Sequence, residues 1–140
     1  MASTRVREEQ NDTMILPEYL ETVFLAETPH GGWPQLFHII TAWNPGKILD
    51  EVTNKTADES LRTLLNREGS RCFRVTGCSP DLKHQEPGWG VAGLSRSRAI
   101  DIAKEYQQNA LFEVSAGRIN IVGCQSQTVQ PVGLWTERCR

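Results

Sequence analysis

One glutamate, Glu86, stands where a carboxylate could exchange protons with a bound molecule. It precedes Pro87 in a polar stretch expected to form a loop, and a glutamate there can act as a general acid or base. A single carboxylate is weak evidence for catalysis. The sequence also contains none of the short motifs of serine hydrolases, P-loop enzymes, dinucleotide-binding enzymes or zinc proteases. Glu86 therefore supports only the hypothesis of a small hydrolase or transferase, in which Asn44 and Gln108 would polarise the substrate.

Side-chain amides form a second group of candidate functional residues. Amides offer paired hydrogen-bond donors and acceptors without a fixed charge, which suits a nucleobase, a sugar or an amino-acid-like ligand. A tryptophan beside them offers a stacking surface. The candidate ligand-binding residues are Trp43, Asn44, Asn54, Asp58, Gln108 and Asn109. We therefore expect a small polar ligand at an amide-rich site, and the sequence leaves open whether the chain is an enzyme.

The same residues also have structural interpretations. Asn44 can simply be the residue that ends a strand, because asparagine favours turns. If a helix begins near Asp50, Asn54 and Asp58 share one of its faces, whereas a helix that begins at Thr56 makes Asn54 a turn residue. In the structural interpretation the amides tie loops together. The chain would then be a protein-interaction module, whose protein partner binds an exposed sheet edge or the C-terminal segment.

No metal and no cofactor are expected. His84, Asp58 and Glu86 could together ligate a divalent cation, but their scattered spacing does not resemble a metal-binding motif. The four cysteines, at positions 72, 78, 124 and 139, include no C-x-x-C pair. We expect free thiols in a reducing compartment.

Length, charge and hydropathy limit the classes of protein to which this chain can belong. The 140 residues suit one domain, and 15 basic against 17 acidic residues leave a formal charge of −2. This balance argues against a nucleic-acid-binding surface, which needs clustered positive charge. No apolar run approaches the roughly 20 residues that cross a bilayer. We expect a cytoplasmic protein that binds neither nucleic acid nor a membrane, and the sequence leaves its oligomeric state open.

Apolar segments separated by polar stretches that contain glycine or proline predict the elements that position these residues. The expected strands span 19–26, 36–43, 71–76, 89–94, 110–114 and 118–122. One helix is expected to start at Asp50 or Thr56, and a second at Ser95 or Ser97. Residues 1–13 are charged and aperiodic, which is typical of a disordered leader. Residues 14–124 are expected to form a single α+β domain, and residues 125–140 an irregular C-terminal tail.

The order of these elements predicts the fold class. We expect an α+β fold with a ferredoxin-like (split βαβ) core, in which a mainly antiparallel sheet of five to six strands carries two helices on one face. In that arrangement the end of the strand 36–43, the loop before the strand 89–94 and the end of the second helix share one rim of the sheet. Asn44, Glu86 and Gln108 should therefore lie close together there.

Four strings in the sequence resemble the bacterial domain-of-unknown-function family 3293. They are ITAWNP at 40–45, the pattern N-x-x-x-D-x-x-L at 54–61, EPGWGVAGL at 86–94 and YQQNALFE at 106–113. The sequence departs from the family pattern at two places. The family more often has a second asparagine where Asp58 stands. It usually has a tryptophan just before the Glu-Pro pair, where this chain has His84 and Gln85. The resemblance implies a small α+β domain with no established activity, and its motif positions are the ones expected on the rim.

Overall fold

The structure is a computed structural model that describes residues 17–45 and 47–140. In chain order its elements are α1 (Pro17–Leu20), β1 (Val23–Leu25), β2 (Leu36–Ile40), α2 (Glu51–Glu68), β3 (Arg71–Cys78), β4 (Gln85–Ala92), α3 (Arg96–Glu105), β5 (Ala110–Ser115), β6 (Arg118–Gly123), β7 (Val129–Leu134) and α4 (Trp135–Arg138). The predicted leader, residues 1–13, lies outside the described residues.

Capping residues fix where the two longer helices begin. The carboxylate of Asp50 accepts a hydrogen bond from the Thr53 backbone N–H at 2.8 Å, and the hydroxyl of Ser95 accepts one from the Arg98 N–H at 3.1 Å. The structure thus selects the earlier of the two predicted starts for each helix. Gly69 ends α2 at a place where helix and sheet pack closely, since a Cβ there would clash with a methyl group of Val91 on β4. No helix in the described part of the chain combines the length and hydropathy needed to cross a membrane.

The described strands form one curled sheet. Their order is β1-β3-β4-β2-β5-β6-β7, and every neighbouring pair is antiparallel. In a flat sheet β1 and β5 would lie about 19 Å apart, at four times the usual strand spacing. The ring centroids of Phe24 on β1 and Phe112 on β5 nevertheless lie 5.1 Å apart. The sheet therefore curls into a half-barrel, with these two rings on its concave face.

Apolar residues cover both faces of the sheet. On the convex face, Leu61 and Leu65 of α2 and Ile102 of α3 pack against Trp89 and Val91. The concave face carries a separate cluster that is rich in aromatic rings, namely Phe24, Trp33, Phe37, Phe73, Phe112 and Trp135. The convex cluster positions the helices, and the concave cluster lies beside the cavity described below.

The segment predicted to be an irregular tail belongs instead to the fold. β7 pairs with β6, and α4 then places the buried Trp135 on the concave cluster. The backbone N–H of Arg140 donates to the carbonyl of Phe24 at 2.7 Å, so the chain returns to the outer side of β1. The sequence pattern failed to predict β7 because it contains Pro131 and Gly133, which are rare in strands and are tolerated mainly at sheet edges.

The predicted fold class is wrong. In place of the expected ferredoxin-like α+β sheet of five to six strands, the structure has seven antiparallel strands curled into a half-barrel. The 18-residue α2 and the 10-residue α3 both pack on its convex face, and the other two helices have four residues each. The errors lie mainly at the sheet edges. The first expected strand, 19–26, shrinks to three residues because α1 takes up its start, and β7 extends the opposite edge.

Candidate functional site

Asn44 and Asn54 lie side by side between the end of β2 and the start of α2. The side-chain oxygen of Asn54 accepts a hydrogen bond from the Asn44 backbone N–H at 2.9 Å, and the Asn54 amide donates to the side-chain oxygen of Asn44 at 2.8 Å. Leu49 joins both residues. Its N–H donates to the Asn44 side chain at 3.0 Å, and its carbonyl accepts from Asn54 at 3.2 Å. The two amides thus hold this connection against the first turns of α2.

The backbone of Asn44 explains why an asparagine suits this position. Its φ of 48° is left-handed, a conformation that asparagine tolerates better than most residues with a Cβ. Its amide nitrogen also reaches a carboxylate oxygen of Glu86 through a long hydrogen bond of 3.5 Å. Asn54 is 2% exposed. Most hydrogen-bond donors and acceptors of the two side-chain amides are therefore bonded to other groups of the protein, as the structural interpretation expects.

Asp58 takes part in an ion pair on the convex side of the sheet. Its two carboxylate oxygens accept hydrogen bonds from the guanidinium group of Arg74 at 3.0 and 2.8 Å. That guanidinium lies 3.7 Å from the centre of the Trp89 ring, and the indole N–H of Trp89 donates to the Asp58 carbonyl at 3.3 Å. Asp58 is 4% exposed, so it joins α2 to β3 and β4 rather than facing solvent.

Gln108 connects the end of α3 to the end of β2. Its amide donates to the carbonyls of Trp43 at 3.4 Å and Tyr106 at 3.2 Å. Gln108 therefore lies beside the segment that carries Asn44, which places these two predicted residues together. Asn109 is exposed, and its carbonyl accepts the N–H of Cys124 at 2.9 Å.

A cavity of about 380 Å³ opens on the concave face next to this segment. Its apolar wall draws side chains from five strands: Phe24, Ile39, Val75, Phe112 and Ile121. Its mouth, which we define by the exposed lining residues, consists of Glu21, Pro80, His84 and Glu86. Among the predicted site residues, Glu86 and Gln108 line the cavity, whereas Trp43, Asn44, Asn54, Asp58 and Asn109 do not.

Gly77 provides part of the space in this cavity. Strand register places Gly77 of β3 opposite Glu86 of β4 on one side and opposite Phe24 of β1 on the other. Paired residues in a sheet point to the same face, and the middle residue of this row has no side chain. A Cβ at position 77 would meet its nearest neighbour, the methyl group of Thr22, at an ordinary contact distance of 3.7 Å. Space therefore remains between the Glu86 carboxylate and the Phe24 ring.

Glu86 is the second residue of β4, not a loop residue as predicted. It is exposed at the mouth, but the protein atoms around its carboxylate displace part of the hydrating water. This desolvation raises the pKa of Glu86, and the hydrogen bond from Asn44 is a smaller effect that lowers it. Within residues 17–45 and 47–140, neither lysine nor arginine forms an ion pair with Glu86. The group can therefore accept a hydrogen bond from a ligand or exchange a proton with it.

The described lining residues offer neither a reactive cysteine nor a metal site. Cys78 lines it as a buried free thiol, and desolvation raises its pKa, which makes it a poor nucleophile at neutral pH. His84 lines the mouth, where its carbonyl accepts the backbone N–H of Ser79 at 3.0 Å to close the turn between β3 and β4. The described residues contain no group of three His, Cys, Asp or Glu side chains placed to hold a metal ion.

The apolar wall was missed by the sequence reasoning. Gly77 offered a signal, because a glycine within a strand pattern often marks a place where something approaches the backbone closely. Phe24 and Phe112 offered none, since their contact depends on the curl of the sheet.

Residues 40–111 match the model of a protein family described as "Protein of unknown function (DUF3293)". The match covers slightly more than half of the 140 residues and confirms the resemblance seen in the sequence. Comparisons with curated proteins and with solved structures found no match. The matched region contains Asn44, Asn54, Glu86 and Gln108, whereas Phe24 lies outside it.

Proposed function

The chain belongs to the DUF3293 family, and we propose that this member binds a small amphipathic molecule in the cavity on the concave face of the sheet. The observation that carries the proposal is the cavity itself. At about 380 Å³ it falls within the usual range for small-molecule sites, which are mostly apolar with a few polar groups that orient the ligand. Glu86 and Gln108 are the polar groups suited to that role.

The amide network has a supporting part in this proposal. Asn54 holds Asn44, and Asn44 reaches the Glu86 carboxylate, so the pair helps to orient Glu86 at the cavity mouth. Trp43 and Asp58 belong to the surrounding scaffold. The ligand is therefore amphipathic, not wholly polar as expected from the amides alone, because most of the cavity wall is hydrocarbon.

An enzymatic role is a second candidate for the same cavity. It is favoured by the raised pKa of Glu86, since a carboxylate in a desolvated setting is suited to proton transfer. Once a ligand is known, its conversion by the wild-type chain but not by Glu86→Gln would support this role.

Filling the cavity tests the proposal directly. Gly77→Val adds a branched side chain in a strand, where such residues are favoured, and directs it into the cavity. Gly77→Ala adds one methyl group and serves as the matched control. We expect a molecule from a metabolite panel to raise the melting temperature of the wild type and of Gly77→Ala, but not of Gly77→Val. If the panel yields no ligand, or if Gly77→Val binds as well as the wild type, the proposal is contradicted.

A further inference from the structure

We propose that the ligand of this cavity carries a cationic head, a protonated amine, on an apolar body. The inference rests on the proposed function and specifies the chemical class of the ligand. It follows from the charges at the mouth, the hydrogen-bond partners of two neighbouring arginines and the composition of the wall.

The charged groups in the lining are carboxylates. Glu21 and Glu86 lie at the mouth, and the lining contains no lysine or arginine among the residues that the structure describes. A phosphate or carboxylate ligand would therefore meet negative charge without compensation, whereas an ammonium group would be attracted. The remaining titratable lining groups are Tyr19, Cys78 and His84, of which only histidine gains positive charge on protonation.

Two arginines next to lining residues are bound to other groups. Arg74 pairs with Asp58 on the convex side of the sheet. Arg138 approaches from α4, but its guanidinium donates to the carbonyls of Leu20 at 2.8 Å, Thr22 at 3.1 Å and Val132 at 3.1 Å. Neither guanidinium lines the cavity. A bound cation would therefore not compete with an arginine for Glu86.

Glu86 has unused capacity to accept hydrogen bonds. An ionised carboxylate offers about four acceptor positions, and the hydrogen bond found for this one is the long contact from Asn44. An ammonium group could donate to the free positions and restore part of the lost hydration. The rings of Phe24 and Phe112 in the wall suit the apolar body, and an aromatic face also attracts a cation.

Three probes of similar shape and different charge test this inference. They are phenethylamine, 2-phenylethanol and 3-phenylpropionate, titrated into the full chain at pH 7.5 and followed by calorimetry. We expect the amine to bind about tenfold tighter than the alcohol or better, as for a hydrogen bond to a charged group, and the acid to bind most weakly. Glu86→Gln should reduce binding of the amine to the level of the alcohol. Glu59→Gln, an exposed change on α2, should leave the preference intact.

The variants separate failure of this inference from failure of the proposed function. If amine and alcohol bind equally and Gly77→Val blocks both, the cavity is a ligand site and the cationic preference is wrong. If Gly77→Val blocks neither, the proposed function is wrong as well. If the three probes do not bind, while a metabolite that Gly77→Val excludes proves neutral or anionic, the inference is overturned.

Discussion

Asn54 and Asn44 exchange two hydrogen bonds, one to the backbone of Asn44 at 2.9 Å and one to its side chain at 2.8 Å. These bonds join a residue in a left-handed conformation to the first turns of α2. The connection between β2 and α2 therefore depends on both amides, which is the behaviour expected of a structural network.

Replacing Asn54 tests this role. Asn54→Ala should lower the free energy of unfolding by about 1–3 kcal/mol, because it leaves the half-buried backbone N–H of Asn44 and carbonyl of Leu49 without partners. Asn66→Ala is the matched control, since Asn66 is exposed on the same helix. Urea denaturation measures both. Equal stability of the two variants would show that the network contributes little.

Trp135 is the residue through which the C-terminal segment stabilises the concave face. It is 3% exposed and packs against Phe24, Trp33 and Phe37, with ring centroids 5.0–5.3 Å apart. Trp135→Ala should cost about 3–5 kcal/mol through lost burial and the cavity left behind. Trp135→Phe should cost much less, because the indole N–H has no hydrogen-bond partner within the described residues. Thermal denaturation of both variants checks this order, and equal losses would contradict it.

Local elements were predictable because their signals lie within a few residues of one another. A nearly continuous apolar run predicted β2, and capping residues predicted α2 and α3. The edges of the sheet were not predictable in this way. β7 contains Pro131 and Gly133, and its pairing with β6 depends on a chain reversal that hydrophobic periodicity does not encode. The curl that brings Phe24 to Phe112 likewise arises from the whole sheet.

The candidate site was predictable to the extent that it depends on loop ends. The sequence correctly placed Asn44, Glu86 and Gln108 in one region, which the contacts of Asn44 with Glu86 and of Gln108 with Trp43 confirm. It could not show that Asn54 points inward to bond with Asn44. Burial and partners of a polar side chain depend on packing between distant segments, and a single sequence does not specify that packing.

A buried histidine–glutamate pair, which an exposed arginine also contacts, predicts that stability falls in acid. His38 lies 2.9 Å from the carboxylate of Glu113, which also accepts two hydrogen bonds from Arg96 at 2.9 and 2.6 Å. Burial lowers the pKa of His38 below 6.5, although the bond to Glu113 opposes this. The Arg96 hydrogen bonds are the main cause that lowers the pKa of Glu113 below 4.5.

The sign of the pH effect is the same for both groups. Each binds a proton more readily in the unfolded chain, so stability is highest above pH 6.5 and decreases as pH falls. The His38 contribution is lost between pH 6.5 and its lower folded pKa, and the Glu113 contribution is lost below pH 4.5. Urea midpoints at pH 7.5, 6.0 and 5.0 should decline for the wild type. His38→Gln should flatten the decline that starts at pH 6.5, and an unchanged slope would exclude His38 as its source.

Two glycines on the concave face differ in their surroundings, because one faces a packed aromatic ring and the other faces open space. Gly77 on β3 and Gly90 on β4 both lie in strands. A Cβ at Gly90 would lie 2.5 Å from the ring of Phe73, so that ring fills the space above the glycine. Among the residues that the structure describes, a Cβ at Gly77 would meet only Thr22 within 4 Å, at 3.7 Å.

The two alanine variants should therefore differ in stability. Gly90→Ala should cost about 1–3 kcal/mol, because Phe73 and its aromatic neighbours must shift to admit the methyl group. Gly77→Ala should be neutral or stabilising by up to about 1 kcal/mol, since alanine restricts the unfolded chain without a clash in the folded one. Urea denaturation of the two variants measures the difference. A large loss in Gly77→Ala would mean that the space beside Glu86 is already filled, and the cavity would then be too small to hold a ligand.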